Sequence, residues 1–120
     1  MKVSHVILRV SDMDRSVAFF RDAVGLVTLA EGPEFSFFDA GSIQLALNHA
    51  DTIAPDTSLT EIVLEADDVV GAYEAMAGRG VEFRVELRPV MTDGGRSLHA
   101  ADFRDPDGHV VSLTGWRGDA

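Results

Sequence analysis

Apolar and polar residues alternate from the start of the chain. Between Val3 and Val10, one face collects Val6, Leu8 and Val10 and the other His5, Ile7 and Arg9, which is the period of a strand. Ser11 or Asp12 can then cap a helix in which Met13, Val17, Phe20 and Val24 recur at helical spacing until Gly25 stops it. Leu26 to Glu31, Glu34 to Asp39 and Ser42 to Asn48 read as strands, with a turn at Gly32-Pro33 and another around Gly41. The first fifty residues therefore predict a βαβββ unit.

The pattern then repeats. His49 to Leu59 is polar, contains Pro55 and reads as a surface linker. Beyond it, Thr60 to Ala66 alternates as the first strand does. Asp67 or Asp68 caps a helix with Val69, Tyr73 and Met76 inward, and Gly80 ends it before a strand from Val81 to Leu87. Arg88 to Arg96 reads as a turn-rich loop, expected to be the most mobile internal segment. Ser97 to Arg104 and His109 to Thr114 form a closing hairpin, with Trp116 just beyond it. Setting Glu61-Ile-Val-Leu-Glu-Ala-Asp-Asp68 under His5-Val-Ile-Leu-Arg-Val-Ser-Asp12 aligns strand with strand, and an internal duplication is the simplest explanation. The expected architecture is α+β: one domain of two tandem βαβββ modules, about 3–49 and 60–116, joined by a linker at 50–59. Neither module buries its faces alone, so the strands are expected to curve as a mixed sheet around a cleft.

Composition narrows the partners. A chain of 120 residues, 46% hydrophobic, suits one compact domain with a real core. It has no cysteine, which removes disulfides and thiolate metal ligands. A formal charge of −10 repels phosphate backbones and anionic membranes, so neither nucleic acid nor membrane is an expected partner. The N-terminus lacks a signal-like apolar core and no stretch approaches a membrane span, which predicts a soluble, cytoplasmic protein. Gly94-Gly95 lacks the lysine and following helix of a phosphate loop.

Strict alternation selects the residues on the face away from the helices. They are His5, Ile7 and Arg9; Gln44, Ala46 and Asn48; Glu61, Val63 and Glu65; Ser112 and Thr114. Polar groups that share a cleft are costly unless they bind one another, water or a ligand, so a small-molecule ligand is the expected partner. His5 alone also reads as a partly exposed strand histidine, Glu61 as an ion-pair partner of His5 or Arg9, and Arg9 with Glu65 as a further pair. His99 and His109 read as surface or hairpin residues without a role.

The stretch Phe103-Arg104-Asp105-Pro106-Asp107-Gly108, followed by alternating apolar residues, closely resembles the last hairpin of the vicinal oxygen chelate superfamily, which groups glyoxalase I, bleomycin-resistance proteins and extradiol dioxygenases. His-Val-x-Leu-x-Val-x-Asp from His5, Arg-Ser-Val-Ala-Phe-Phe-Arg-Asp from Arg15, Gly25-Leu26 and Arg-Gly-Val-Glu-Phe from Arg79 extend the resemblance from His5 through Gly115. It implies the same fold, and a homodimer. It also implies metal ligands on the first and last strand of each unit, at His5, Gln44, Glu61 and Ser112. Imidazole, amide oxygen and carboxylate at the first three suit one divalent ion of Zn, Ni, Co, Mn or Fe. Ser112 is the departure, since family enzymes generally carry Glu there as ligand and base, and serine is poor at both.

Two readings stay open. One is a metal-free binding protein of the bleomycin-resistance type, with Ile7, Arg9, Asn48, Val63, Glu65, Ser112, Thr114 and Trp116 against an aromatic or cationic ligand. The other is a metal-dependent glyoxalase-like lyase or isomerase built on His5, Gln44 and Glu61, acting on a substrate with vicinal oxygens.

Overall fold

A computed structural model describes residues 3–52 and 60–118 and divides the chain into two compact units, Met1–Asp56 and Thr57–Ala120. Most of the expected linker, 53–59, lies outside the described residues.

The first unit runs β1 (His5–Val10), α1 (Met13–Ala18), a π-helical segment (Phe19–Val24), β2 (Val27–Ala30), β3 (Phe35–Ala40) and β4 (Ile43–His49). Its sheet has the order β1-β4-β3-β2, with β1 and β4 parallel and the other pairs antiparallel. Of the two candidate caps, Asp12 does the work: its carboxylate accepts from Arg15 N at 3.1 Å. The apolar positions expected on the helix, Met13, Val17, Phe20 and Val24, are all buried, together with Leu8, Val10, Phe38, Leu45 and Leu47. Phe20 and Phe38 are fully buried with ring centroids 6.0 Å apart, and burial of each contributes about 2–3 kcal/mol.

The single expected helix is thus α-helical only in its first half. The Phe20 carbonyl accepts from both Gly25 N (3.1 Å) and Leu26 N (2.9 Å), and Gly25 closes the segment at φ 96°. Apolar spacing carries no mark of such wider bonds, because Phe20 and Val24 face the sheet in either winding.

The second unit repeats the order: β5 (Glu61–Glu65), α2 (Val69–Gly78), β6 (Phe83–Asp93), β7 (Arg96–Arg104) and β8 (Val110–Gly118). Its sheet is β5-β8-β7-β6, again with the first and last strands parallel. Asp68 caps α2 through Gly71 N at 3.0 Å. The helix lies close to β8 because position 115 is glycine: a Cβ there would meet Val69 Cβ at 2.5 Å and the Ala66 carbonyl at 2.6 Å. Val69, Met76, Ala101, Phe103, Val111 and Leu113 form the buried set, and Tyr73, Phe83 and Phe103 extend it in a chain of ring contacts.

Two expectations are corrected here. Arg88 to Arg96 is not a loop: β6 continues to Asp93, β7 begins at Arg96, and only Gly94 (φ 56°) and Gly95 (φ 86°) turn. Two consecutive positive φ angles make the tight hairpin turn that glycine pairs favour, and β6 tolerates Pro89 because it is an edge strand. Trp116, expected just past the last strand, lies within β8 and pairs with Leu98.

Candidate functional site

Each sheet has one helix-covered face and one open face. In the first unit β1 alternates as expected, with Leu8 and Val10 buried and His5, Ile7 and Arg9 exposed. Register then builds rows across the open face. His5 is level with Gln44 and Gln44 with Asp39; Ile7 with Ala46 and Phe37; Arg9 with Asn48 and Phe35. Neighbours in a row lie about one strand spacing, roughly 4.8 Å, apart. The His5 ring sits edge-on to Phe37, centroids 6.1 Å apart, and Phe37 stacks with Phe35 at 6.3 Å and 15°. His5 Nδ1 is 2.8 Å from Ser4 Oγ, and Asn48 Nδ2 donates to the Glu34 carbonyl.

Phe35, Phe37 and Asp39 were not singled out in the sequence, although alternation in Phe35-Ser-Phe-Phe-Asp39 carries the signal. Ser36 and Phe38 are buried, and the three residues between and beside them face outward. Asp39 Oδ1 accepts from Gly41 N at 2.9 Å, which fixes its carboxylate at the β3–β4 turn. A cavity of about 400 Å³ opens at this end of the sheet, lined by Ser4, Leu29, Asp39, Ser42, Ile43 and Gln44 among others.

In the second unit the open face carries Glu61, Val63 and Glu65, then Ser112, Thr114 and Trp116. Ser112 and Thr114 are buried, whereas Glu61, Val63 and Glu65 are exposed. Ser112 Oγ donates to Glu61 Oε1 at 2.5 Å, and Thr114 Oγ1 donates to the Leu64 carbonyl at 2.9 Å. Ser112 is level with Val63 rather than with Glu61. The parallel pair is therefore slid by two residues relative to His5 and Gln44, and a slip of two keeps the same face. Ser112 is also level with Asp102, whose carboxylate lies 3.8 Å from Arg88 Nη2, while Arg88 Nη1 donates to the Ala100 carbonyl. The Arg96 guanidinium sits over the Trp116 ring, 4.3 Å from its centroid.

The hairpin before β8 is built on a buried pair. Asp105 accepts from Asp107 N (3.1 Å) and His109 N (2.7 Å), and its second oxygen lies 2.7 Å from His109 Nδ1. His109, expected to be an idle surface or hairpin residue, is buried at 9% exposure. The Asp105 bond raises the imidazole pKa above its ordinary value against the opposing effect of burial, with the Asp105 and Asp107 charges adding to the rise.

As ligands for a divalent ion, His5 and Gln44 supply two neutral donors on adjacent strands, with Nε2 of His5 presenting its lone pair when Nδ1–H donates to Ser4. Glu61 supplies one carboxylate, with one of its oxygens already accepting from Ser112. Among the described residues no group of three or more His, Asp or Glu side chains is arranged to hold a metal. No helix among them is long and apolar enough to cross a membrane.

Comparison with known proteins agrees with this architecture. Lactoylglutathione lyase of Haemophilus influenzae is 31% identical over 126 aligned residues, covering 94% of this chain and 91% of that protein. Metallothiol transferase FosB of Lysinibacillus sphaericus is 27% identical over 110 residues, covering 89% and 77%. A solved glyoxalase/bleomycin resistance protein/dioxygenase from Alicyclobacillus acidocaldarius superposes with a TM-score of 0.79 at 17% identity, over 96% of this chain and 91% of that one, which speaks to the fold alone. Residues 2–113 match the profile of the Glyoxalase/Bleomycin resistance protein/Dioxygenase superfamily, and the chain belongs to it.

Proposed function

We propose that this protein captures a small aromatic molecule on its open sheet faces and holds it without metal chemistry, in the manner of the binding branch of its superfamily. The observation that carries this is the Ser112–Glu61 hydrogen bond. At the position where family enzymes generally carry a glutamate ligand and base, this chain has a buried hydroxyl that ties up the neighbouring carboxylate. A serine donating its proton to Glu61 is not available to take a proton from a substrate. Stacked Phe35 and Phe37, with the His5 edge beside them, offer a planar ligand a surface worth about 0.5–1.5 kcal/mol per ring pair beyond area. Ile7, Arg9 and Asn48, in the same rows of that face, contribute contacts around it.

A second reading is favoured by His5 and Gln44 standing level on adjacent strands. The two would lend neutral ligands to a divalent ion, and such an ion would supply polarisation of adjacent substrate oxygens. The relatives named lactoylglutathione lyase and metallothiol transferase keep this reading in view.

Ligand binding before and after chelation separates the two. Isothermal titration calorimetry reads the binding. Chelated protein should bind an aromatic amine such as benzylamine unchanged, and Phe37→Ala should weaken it about tenfold. Binding lost on chelation and regained with Zn²⁺ would transfer the site to the metal reading.

A further inference from the structure

The internal repeat pairs two carboxylates that the sequence keeps apart. In the first unit the row across the open face runs Gln44, Asp39, Val27; in the second it runs Ser112, Asp102, Val85. Gln44 and Ser112 stand at matching places on the last strands, so Asp39 and Asp102 are structural equivalents on the third strands. The loop after Asp102 is longer than the turn after Asp39, which hides the match from a linear alignment.

The two differ in what answers their charge. Asp102 has a cation from its own edge strand, the Arg88 guanidinium at 3.8 Å. The equivalent edge strand of the first unit, Val-Thr-Leu-Ala, carries no charge. Among the described residues no Lys, Arg or His nitrogen forms an ion pair with Asp39. Asp39 nevertheless has its carboxylate fixed by Gly41 N at the wall of the 400 Å³ cavity, a volume within the range of small-molecule sites. The other polar side chains in that wall, Ser4, Ser42 and Gln44, all offer oxygen acceptors to an N–H donor. A net charge of −10 adds a field that favours cations.

We infer that Asp39 anchors a protonated amine or amidinium of the ligand, doing from the protein side what Asp102 does toward Arg88. The inference rests on the open face of the first unit being a ligand surface, and it names the class of ligand: a cation carrying an aromatic group, its charged end in the cavity and its ring toward Phe37. An anionic ligand is excluded from this end by the carboxylate.

The test is an amide and aromatic NMR titration with two probes of one shape, benzylamine, protonated at neutral pH, and benzyl alcohol. In the native protein benzylamine should shift the Gly41, Ser42 and Gln44 amides and bind at least tenfold more tightly than the alcohol. Asp39→Asn keeps the oxygen that accepts from Gly41, so the turn is retained, and the two probes should then bind alike. Equal binding by the native protein, or a preference that survives Asp39→Asn, overturns the inference. If Phe37 responds to both probes without preference, the aromatic surface stands and the amine anchor falls. If those amides respond and Phe37 does not, the anchor stands and the aromatic surface falls. Silence in both sets removes both.

Discussion

His109 Nδ1 lies 2.7 Å from the buried carboxylate of Asp105, and this one contact couples the last hairpin to pH. The folded imidazole pKa is raised above 6.5, so its contribution to stability is complete below that value and is lost as pH rises through the folded pKa. Chemical denaturation between about pH 6 and 9 should show the native protein losing stability across this range relative to His109→Asn, which lacks this imidazole. Parallel profiles for the two proteins would contradict it.

Removing the other partner should cost more. Asp105→Ala leaves two backbone N–H groups and the imidazole without their acceptor, and should destabilise the protein by about 3 kcal/mol in urea denaturation. A loss below about 0.5 kcal/mol would mean that water replaces the carboxylate freely.

The Gly94-Gly95 turn makes the opposite kind of prediction. Gly94→Asn suits φ 56° and should leave stability unchanged, whereas Gly95→Val at φ 86° should cost about 1–2 kcal/mol. Hydrogen exchange should find protected amides on β7 opposite Arg88 and Met91, where a mobile loop would leave none.

Pro89, Asp93, Gly94 and Gly95 crowd turn-forming residues into one stretch, yet only two of them turn, and an edge strand makes no demand on the missing proline N–H. Elsewhere the alternation was sufficient: burial of Leu8 and Val10 against exposure of His5, Ile7 and Arg9 follows directly from period two. The repeated strand order was legible for the same reason, since β1 and β5 share one pattern. Register was not. That Ser112 stands level with Val63 and Asp102, and Gln44 with His5 and Asp39, depends on loop lengths and pairing that no local pattern encodes. The buried His109 was missed because Asp-Pro-Asp-Gly predicts a turn but not which side chain folds back under it.

Association should be visible in solution. The edge strands expose Val27 (66%) and Leu29 (52%) on β2 and Val90 (49%) and Met91 (50%) on β6, apolar groups that a second copy can cover. Sedimentation at micromolar concentration is expected to give a dimer, and charge substitutions at Leu29 and Met91 to weaken it. A species near the 12.9 kDa of one chain at all concentrations would remove this expectation.

Substituting Ser112 tests the chemistry of the site directly. Ser112→Ala removes the donor to Glu61 and should cost about 1 kcal/mol, since the carboxylate is exposed and water can take over the bond. Ser112→Glu instead sets a second carboxylate beside Glu61, and like charges at that separation disfavour joint ionisation. Its melting temperature at neutral pH should fall by about 3–6 °C and recover when Zn²⁺ is added, because the ion neutralises both groups. The native protein should show neither chelator sensitivity nor a rise with Zn²⁺. His5→Ala placed on Ser112→Glu separates the sources of that recovery: if His5 lends a ligand, recovery requires a higher zinc concentration. A native melting temperature that drops on chelation, with His5→Ala giving the same drop, would show that His5 holds a metal without help from position 112.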